Sequence, residues 1–138
     1  MPHVRITLRG GRPAAQLRAI SECLHAAMVA TFDVPLNDRF HFFQVNEAEE
    51  IFVDTRYLSS GRTAGFMHFE IVAGKPRSAA AKAALYRQLA AGLHDSLGIS
   101  PADVMVVVVT TTPEDWSFAD GLTAGESMER HAHANPSA

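Results

Sequence analysis

Pro2 is the sharpest chemical feature of the sequence. An initiator methionine is removed when the next residue is small, and proline qualifies. The product carries a secondary amine at its terminus, in a class of group that titrates at about 7.7–8.0 in a free chain. Nearby cations or burial lower that value, and a nearby carboxylate raises it. A depressed amine serves as a general base and an elevated one as a general acid. If Met1 stays attached, the nitrogen is an amide and does neither. Five further positions could complete such a centre. Asp38 supplies an acid, Lys75 and Arg77 supply two cations, and Trp116 with Phe118 supplies an aromatic wall. Each also has a plainer reading. Asp38 follows a Pro-x-Asn turn and could simply cap it. Lys75 fits a solvated turn, and Trp116 fits a core or interface position. Arg77 sits beside a helix start, where the helix dipole favours anions over cations, so its placement hints at function.

These residues converge only if the chain folds as a repeat. VRITLRGGRP (4–13) is matched by MHFEIVAGKP (67–76), so Gly11-Arg12-Pro13 recurs as Gly74-Lys75-Pro76. TFDVPLND (31–38) is matched by SLGISPAD (96–103), which pairs Asp38 with Asp103. The pieces keep their order, and this points to duplication. Each unit reads β-α-β. Val4, Ile6 and Leu8 alternate with polar neighbours, as in a half-buried strand. Leu17, Ile20, Leu24 and Met28 keep helical spacing to about residue 32, and Phe40 to Val45 reads as a second strand. In the second unit Phe66 to Val72 reads as a strand and Ser78 to Leu97 as a helix, closed by Gly98. Val104 to Val109 is apolar on both faces and is expected to be a central, doubly covered strand. A short strand is expected at Ile51 to Asp54 in the linker.

The expected fold is therefore α+β. Two tandem β-α-β units, about 2–46 and 64–112, form one four-stranded sheet with two helices on one face. A C-terminal segment at 113–126 completes a single domain over 1–126, and 127–138 is expected to be a disordered tail. The bare sheet face would carry Arg5, Thr7, His68 and Glu70 among apolar residues, so an oligomer is expected. If the units are related by a twofold, Pro2, Asp38, Lys75, Arg77, Trp116 and Phe118 reach one edge. At the opposite edge Gly65 takes the place of Pro2. It has no amine, although Arg12 and Asp103 are present there.

Composition narrows the function. The 138 residues carry a net charge of −3, with 47% hydrophobic and 20% charged residues. No basic surplus exists for nucleic acid, and no apolar run approaches the ~18 residues of a membrane span. The first residues lack a signal-peptide core, so a cytoplasmic location is expected. One cysteine, Cys23, excludes a disulfide framework within the chain and reads as a small core residue. Among seven histidines, His68 lies two residues from Glu70, and His131 and His133 sit near the C-terminus. None has a third ligand at an informative spacing, so no metal site is expected. His3 should lie on the strand side opposite Pro2, while His25, His41 and His94 read as surface residues.

Pro2, the duplicated units, VPLNDRF (34–40), KPRS (75–78) and DWSF (115–118) together resemble the tautomerase superfamily, and in particular its malonate semialdehyde decarboxylase branch. The resemblance spans residues 2 to about 125. It implies a homotrimer that uses neither metal nor organic cofactor. It also implies a cofactor-independent enzyme acting on a small keto or enol carboxylic acid. Pro2 would be the catalytic amine and Asp38 would position or activate water. Arg77 would bind the substrate carboxylate and polarise its carbonyl, with Trp116 and Phe118 as the apolar wall. Lys75 stands where the decarboxylase pattern has another arginine, and a lysine lacks the two-pronged grip on carboxylate. Decarboxylation or hydration of a 3-oxo acid such as malonate semialdehyde is the leading expectation. The alternatives are keto–enol tautomerisation of a 2-keto acid such as phenylpyruvate, or a non-catalytic oligomeric scaffold or signalling role.

Overall fold

The first strand, β1 (Pro2–Arg9), forms because its residues alternate between a buried and an open row. Val4, Ile6 and Leu8 are buried on one side, while His3, Arg5 and Thr7 lie on the other. Pro13 then starts α1 (Ala14–Phe32), which ends at Asp33 in the left-handed conformation, φ 54°. β2 (His41–Asn46) follows and pairs parallel with β1. The second unit repeats this with β3 (Met67–Ala73), α2 (Ala79–Leu97) and β4 (Val104–Thr110), and β3 pairs parallel with β4. Ser78 caps α2 by accepting the Ala81 N–H at 3.1 Å, and Gly98 closes it at φ 66°. The computed structural model describes residues 1–134.

β1 and β3 pair antiparallel, so the sheet order is β2-β1-β3-β4 and the two units are related by an approximate twofold. Both helices lie on one face. Ile20, Leu24, Met28, Leu85, Leu89 and Leu93 close over Ile6, Leu8, Phe69 and Ile71 in one buried cluster. Complete burial of such side chains is worth about 1.5–3 kcal/mol each. No described helix is long and apolar enough to cross a membrane.

Three local expectations are corrected. β4 is an edge strand of the sheet, not a central one, and its second apolar row (Met105, Val107, Val109) lies 37–43% exposed on the open face. An all-apolar run reads the same whether that second row is covered by its own chain or left on the surface. Ile51 to Asp54 is extended but unpaired, and Phe52 is almost fully exposed. Where a disordered tail was expected from residue 127, helix α3 (Ala124–Ala134) continues instead. The rest of that segment, 135–138, lies outside the described residues. The helix starts on a reciprocal cap. The Thr123 N–H and hydroxyl both donate to Glu126, and the Glu126 N–H donates to Thr123 Oγ1.

Candidate functional site

The antiparallel β1–β3 pairing sets Pro2 opposite Ala73. This places the start of the chain beside the segment that carries Lys75 and Arg77. The parallel β1–β2 pairing brings up the other loop, since the Val4 N–H donates to the Phe40 carbonyl at 2.9 Å. Asp38 thereby reaches the chain terminus, and its carboxylate lies 3.3 Å from the Met1 ammonium, both groups being largely shielded from solvent. The Met1 carbonyl accepts the Gly74 N–H at 2.9 Å. A side chain at Gly74 would meet Met1 at 3.2 Å, so glycine is what allows the close approach.

Arg77 is held rather than solvated. One terminal nitrogen donates to the Lys75 carbonyl at 2.9 Å, and the other donates to the Phe32 carbonyl at 3.0 Å. The guanidinium carbon stands 5.0 Å from the centre of the Phe32 ring. Its buried Nε–H has no partner among the described residues. Burial lowers the Arg77 pKa while Asp33 and Asp38 oppose the shift, and a guanidinium stays charged at neutral pH throughout. Lys75 is exposed.

Met1, Asp38, Lys75 and Arg77 border one cavity of about 250 Å³, together with Asp33, Pro35 and Met128. An adjoining hollow of about 660 Å³ shares Met1, Asp38 and Met128 and adds Phe40, Phe118 and His131. Pro2 is buried directly behind Met1 and borders neither. Trp116 stands one layer back. It stacks on Phe118 at 5.6 Å and meets His3 edge-on at 5.9 Å. Its indole N–H donates to Thr111 Oγ1 at 2.7 Å, and Thr111 in turn donates to the Ala73 carbonyl at 3.0 Å. Five of the six residues singled out from sequence thus meet at one edge, and Trp116 braces the wall behind Phe118. Asp33, Phe40, Met128 and His131 were missed. The T-x-x-E pattern at 123–126 is the signal that would have placed α3, and with it Met128 and His131.

The opposite edge is built differently. Asp103 is buried and accepts both the N–H and the hydroxyl of Thr63, each at 2.6 Å. A side chain at Gly65 would stand 3.2 Å from Asp103 and 3.4 Å from Arg12. Thr63 therefore satisfies there the carboxylate that faces the chain terminus here.

Models of the tautomerase enzymes match residues 2–59 and 38–119. The chain is 35% identical over 121 residues to the probable tautomerase YusQ of Bacillus subtilis, covering 88% of this chain and 95% of that one. The chain belongs to the tautomerase family. A second Bacillus subtilis protein, the probable tautomerase YrdN, is 30% identical over 88% of this tautomerase chain and 93% of its own. Among solved structures, malonate semialdehyde decarboxylase superposes with a TM-score of 0.85 at 31% identity, covering 93% of this chain and 98% of that one. A fused 4-OT symmetric trimer shares the fold at TM-score 0.71 and 24% identity, covering 90% and 97% of the two chains. This tautomerase is thus an enzyme of the superfamily with the two-unit β-α-β fold.

Burial governs one more group near the edge. His41, at the start of β2, is pushed down to about 4 from 6.5, chiefly by desolvation and further by Arg39 and His25, with Glu22 opposing. Between those two values the unfolded chain binds a proton that the folded tautomerase refuses. Stability should therefore fall as pH drops from 6.5 toward 4. Melting temperatures measured across that window should decline for the wild type and run flatter for His41→Gln. Equal slopes would refute the assignment.

Proposed function

We propose that this tautomerase works without a cofactor on a small keto or enol carboxylate, with Pro2 as general acid or base once Met1 has been excised. The favoured reaction is decarboxylation or hydration of a 3-oxo acid such as malonate semialdehyde. One observation carries the reading: the chain terminus, Asp38, Lys75 and Arg77 border a single cavity beside an apolar wall. Excision would leave the Pro2 nitrogen facing the space where Met1 stood. Asp38 raises the affinity of that amine for a proton, while Lys75 and Arg77 lower it. The two cations neutralise the substrate carboxylate, and the free Nε–H of Arg77 is a donor with no competing partner.

In decarboxylation, protonated Pro2 donates to the 3-oxygen while the bond to the carboxylate carbon breaks. The electron pair moves into the enol and carbon dioxide leaves; the enol carbon then takes a proton from water as the 3-oxygen returns its own to Pro2, which gives the aldehyde and restores the protonated amine. Phe118 and Phe40 favour this step, because charge localised on the carboxylate spreads as the bond breaks. Hydration would use Asp38 to orient the attacking water. We also infer a cytoplasmic homotrimer. Support comes from the half-exposed apolar row on β4 with Phe42 on the same open face, and from the trimeric assembly of the fused 4-OT neighbour.

A second reading, keto–enol tautomerisation of a 2-keto acid such as phenylpyruvate, is favoured by Lys75. A point charge suits binding without the planar orientation that two arginines give. The test uses protein whose intact mass shows loss of Met1, assayed in parallel on 3-oxopropanoate and on phenylpyruvate enol. Decarboxylation with little tautomerisation supports the first reading, and the reverse supports the second. Turnover of neither refutes both. Under the first reading, Lys75→Arg should raise decarboxylation about 3- to 10-fold by restoring a second fork. No gain would show that the lysine does not limit the reaction.

A further inference from the structure

The loop that carries Asp38 is tied down by a buried histidine on α1 that the reaction does not touch. His25 is 5% exposed, and its Nε2 lies 2.9 Å from the Leu36 carbonyl. A carbonyl only accepts, so the His25 proton resides on Nε2 and Nδ1 carries a bare lone pair. That Nδ1 is buried and has no partner among the described residues. His41 lies next to it, with ring centres 6.1 Å apart. His41 Nδ1 is 2.7 Å from Ser21 Oγ, and its buried Nε2 is likewise unpartnered. With the Ser21 hydroxyl donating, the His41 proton stays on Nε2, beside the ring that offers a lone pair. Two residues beyond Leu36, the Asp38 N–H closes the turn onto the Pro35 carbonyl at 3.0 Å. The remaining charged groups around this pair, Glu22 and Arg39, form an exposed fork at 2.8 and 3.4 Å, the kind of contact worth little.

We propose that His25, buried and packed edge-on against His41, is a positioning residue that sets where the Asp38 carboxylate stands. The inference rests on the role proposed above for Asp38. His25 touches no cavity shared with Met1 or Arg77 and acts only through the 34–38 loop. A hydrogen bond from a buried histidine to the Leu36 carbonyl restrains the loop backbone, and misplacement on the scale of 1 Å costs catalysis heavily.

The test compares His25→Leu, which keeps the volume and removes the donor, with His25→Gln, whose amide N–H reaches the same carbonyl. Turnover of the favoured substrate should fall about 10-fold in kcat for His25→Leu, with little change in KM, and recover in His25→Gln. The same His25→Leu change made in an Asp38→Asn background should cost nothing further, because the two residues act as one unit. Additive losses, or an unchanged kcat in folded His25→Leu protein, overturn the proposal. Amide exchange separates failure of the loop tie from failure of the functional reading. Exchange at the Asp38 N–H should quicken in His25→Leu and return in His25→Gln even if Asp38→Asn leaves turnover intact. Unchanged exchange overturns the tie directly. Glu22→Gln, on the exposed fork, should leave both readouts as in the wild type.

Discussion

Pro2→Ala should lower kcat/KM by about 10²- to 10⁴-fold, the usual worth of a positioned general acid or base. Alanine at position 2 is small enough to permit the proposed removal of Met1, so the variant would keep a terminal amine but lose the ring. Proline's ring fixes rotation about its N–Cα bond and so aims the amine's lone pair at the start of β1, where pairing with Ala73 locks the backbone. A primary amine on a freely turning terminus loses that aim. The Pro2 ring is buried against the sheet, so the melting temperature must be recorded alongside activity. Intact mass must show that both proteins lack Met1. Equal activity in the two proteins would end the mechanism. The pH profile of kcat/KM then tells the role: activity falling at high pH marks Pro2 as the acid, and activity falling at low pH marks it as the base.

Arg77→Gln should cost about 10²- to 10³-fold in kcat/KM, as expected when a preorganised donor to developing charge is lost. Two carbonyls and the Phe32 ring hold the guanidinium, so little reorganisation is needed when substrate arrives. Arg77→Lys should not recover the loss. An ammonium cannot serve the Lys75 and Phe32 carbonyls and a substrate carboxylate in the same planar arrangement. Some stability will also be lost, since the Phe32 and Lys75 carbonyls lose their donor. Activity per folded molecule is therefore the quantity to compare. Full activity in Arg77→Lys would show that charge alone suffices.

Most of the frame was readable from residue order. The alternation in Val4-Ile6-Leu8, the helical spacing of Leu85-Leu89-Leu93 and the repeated Gly-x-Pro turn each follow from a local period. The matching halves pointed to two parallel pairs; the parallel β1–β2 pair set Asp38 beside Pro2 across more than thirty residues of chain, and the assumed twofold brought up Lys75 and Arg77. The unread parts depended on tertiary context. His25 lies on α1 beside residues that face the core, and a polar type there read as surface until its carbonyl partner was visible. β4 looks the same as an inner strand because apolarity does not say which layer covers it. Asp33 joins the cavity only because α1 ends in a left-handed turn, a conformation that an aspartate does not announce.

The seat that Met1 occupies has a consequence for biosynthesis. In the folded chain its ammonium is clamped by one side chain and its carbonyl by one backbone amide, and most of it is out of reach. A processing peptidase needs an extended, free end. Under the proposed mechanism, trimming would have to happen while the polypeptide is still emerging, before the first strand finds its antiparallel neighbour. Molecules that zip up first would be sealed with their own starting residue in the mouth of the pocket, so a fast-translating overexpression host would yield a mixture of competent and self-plugged protein.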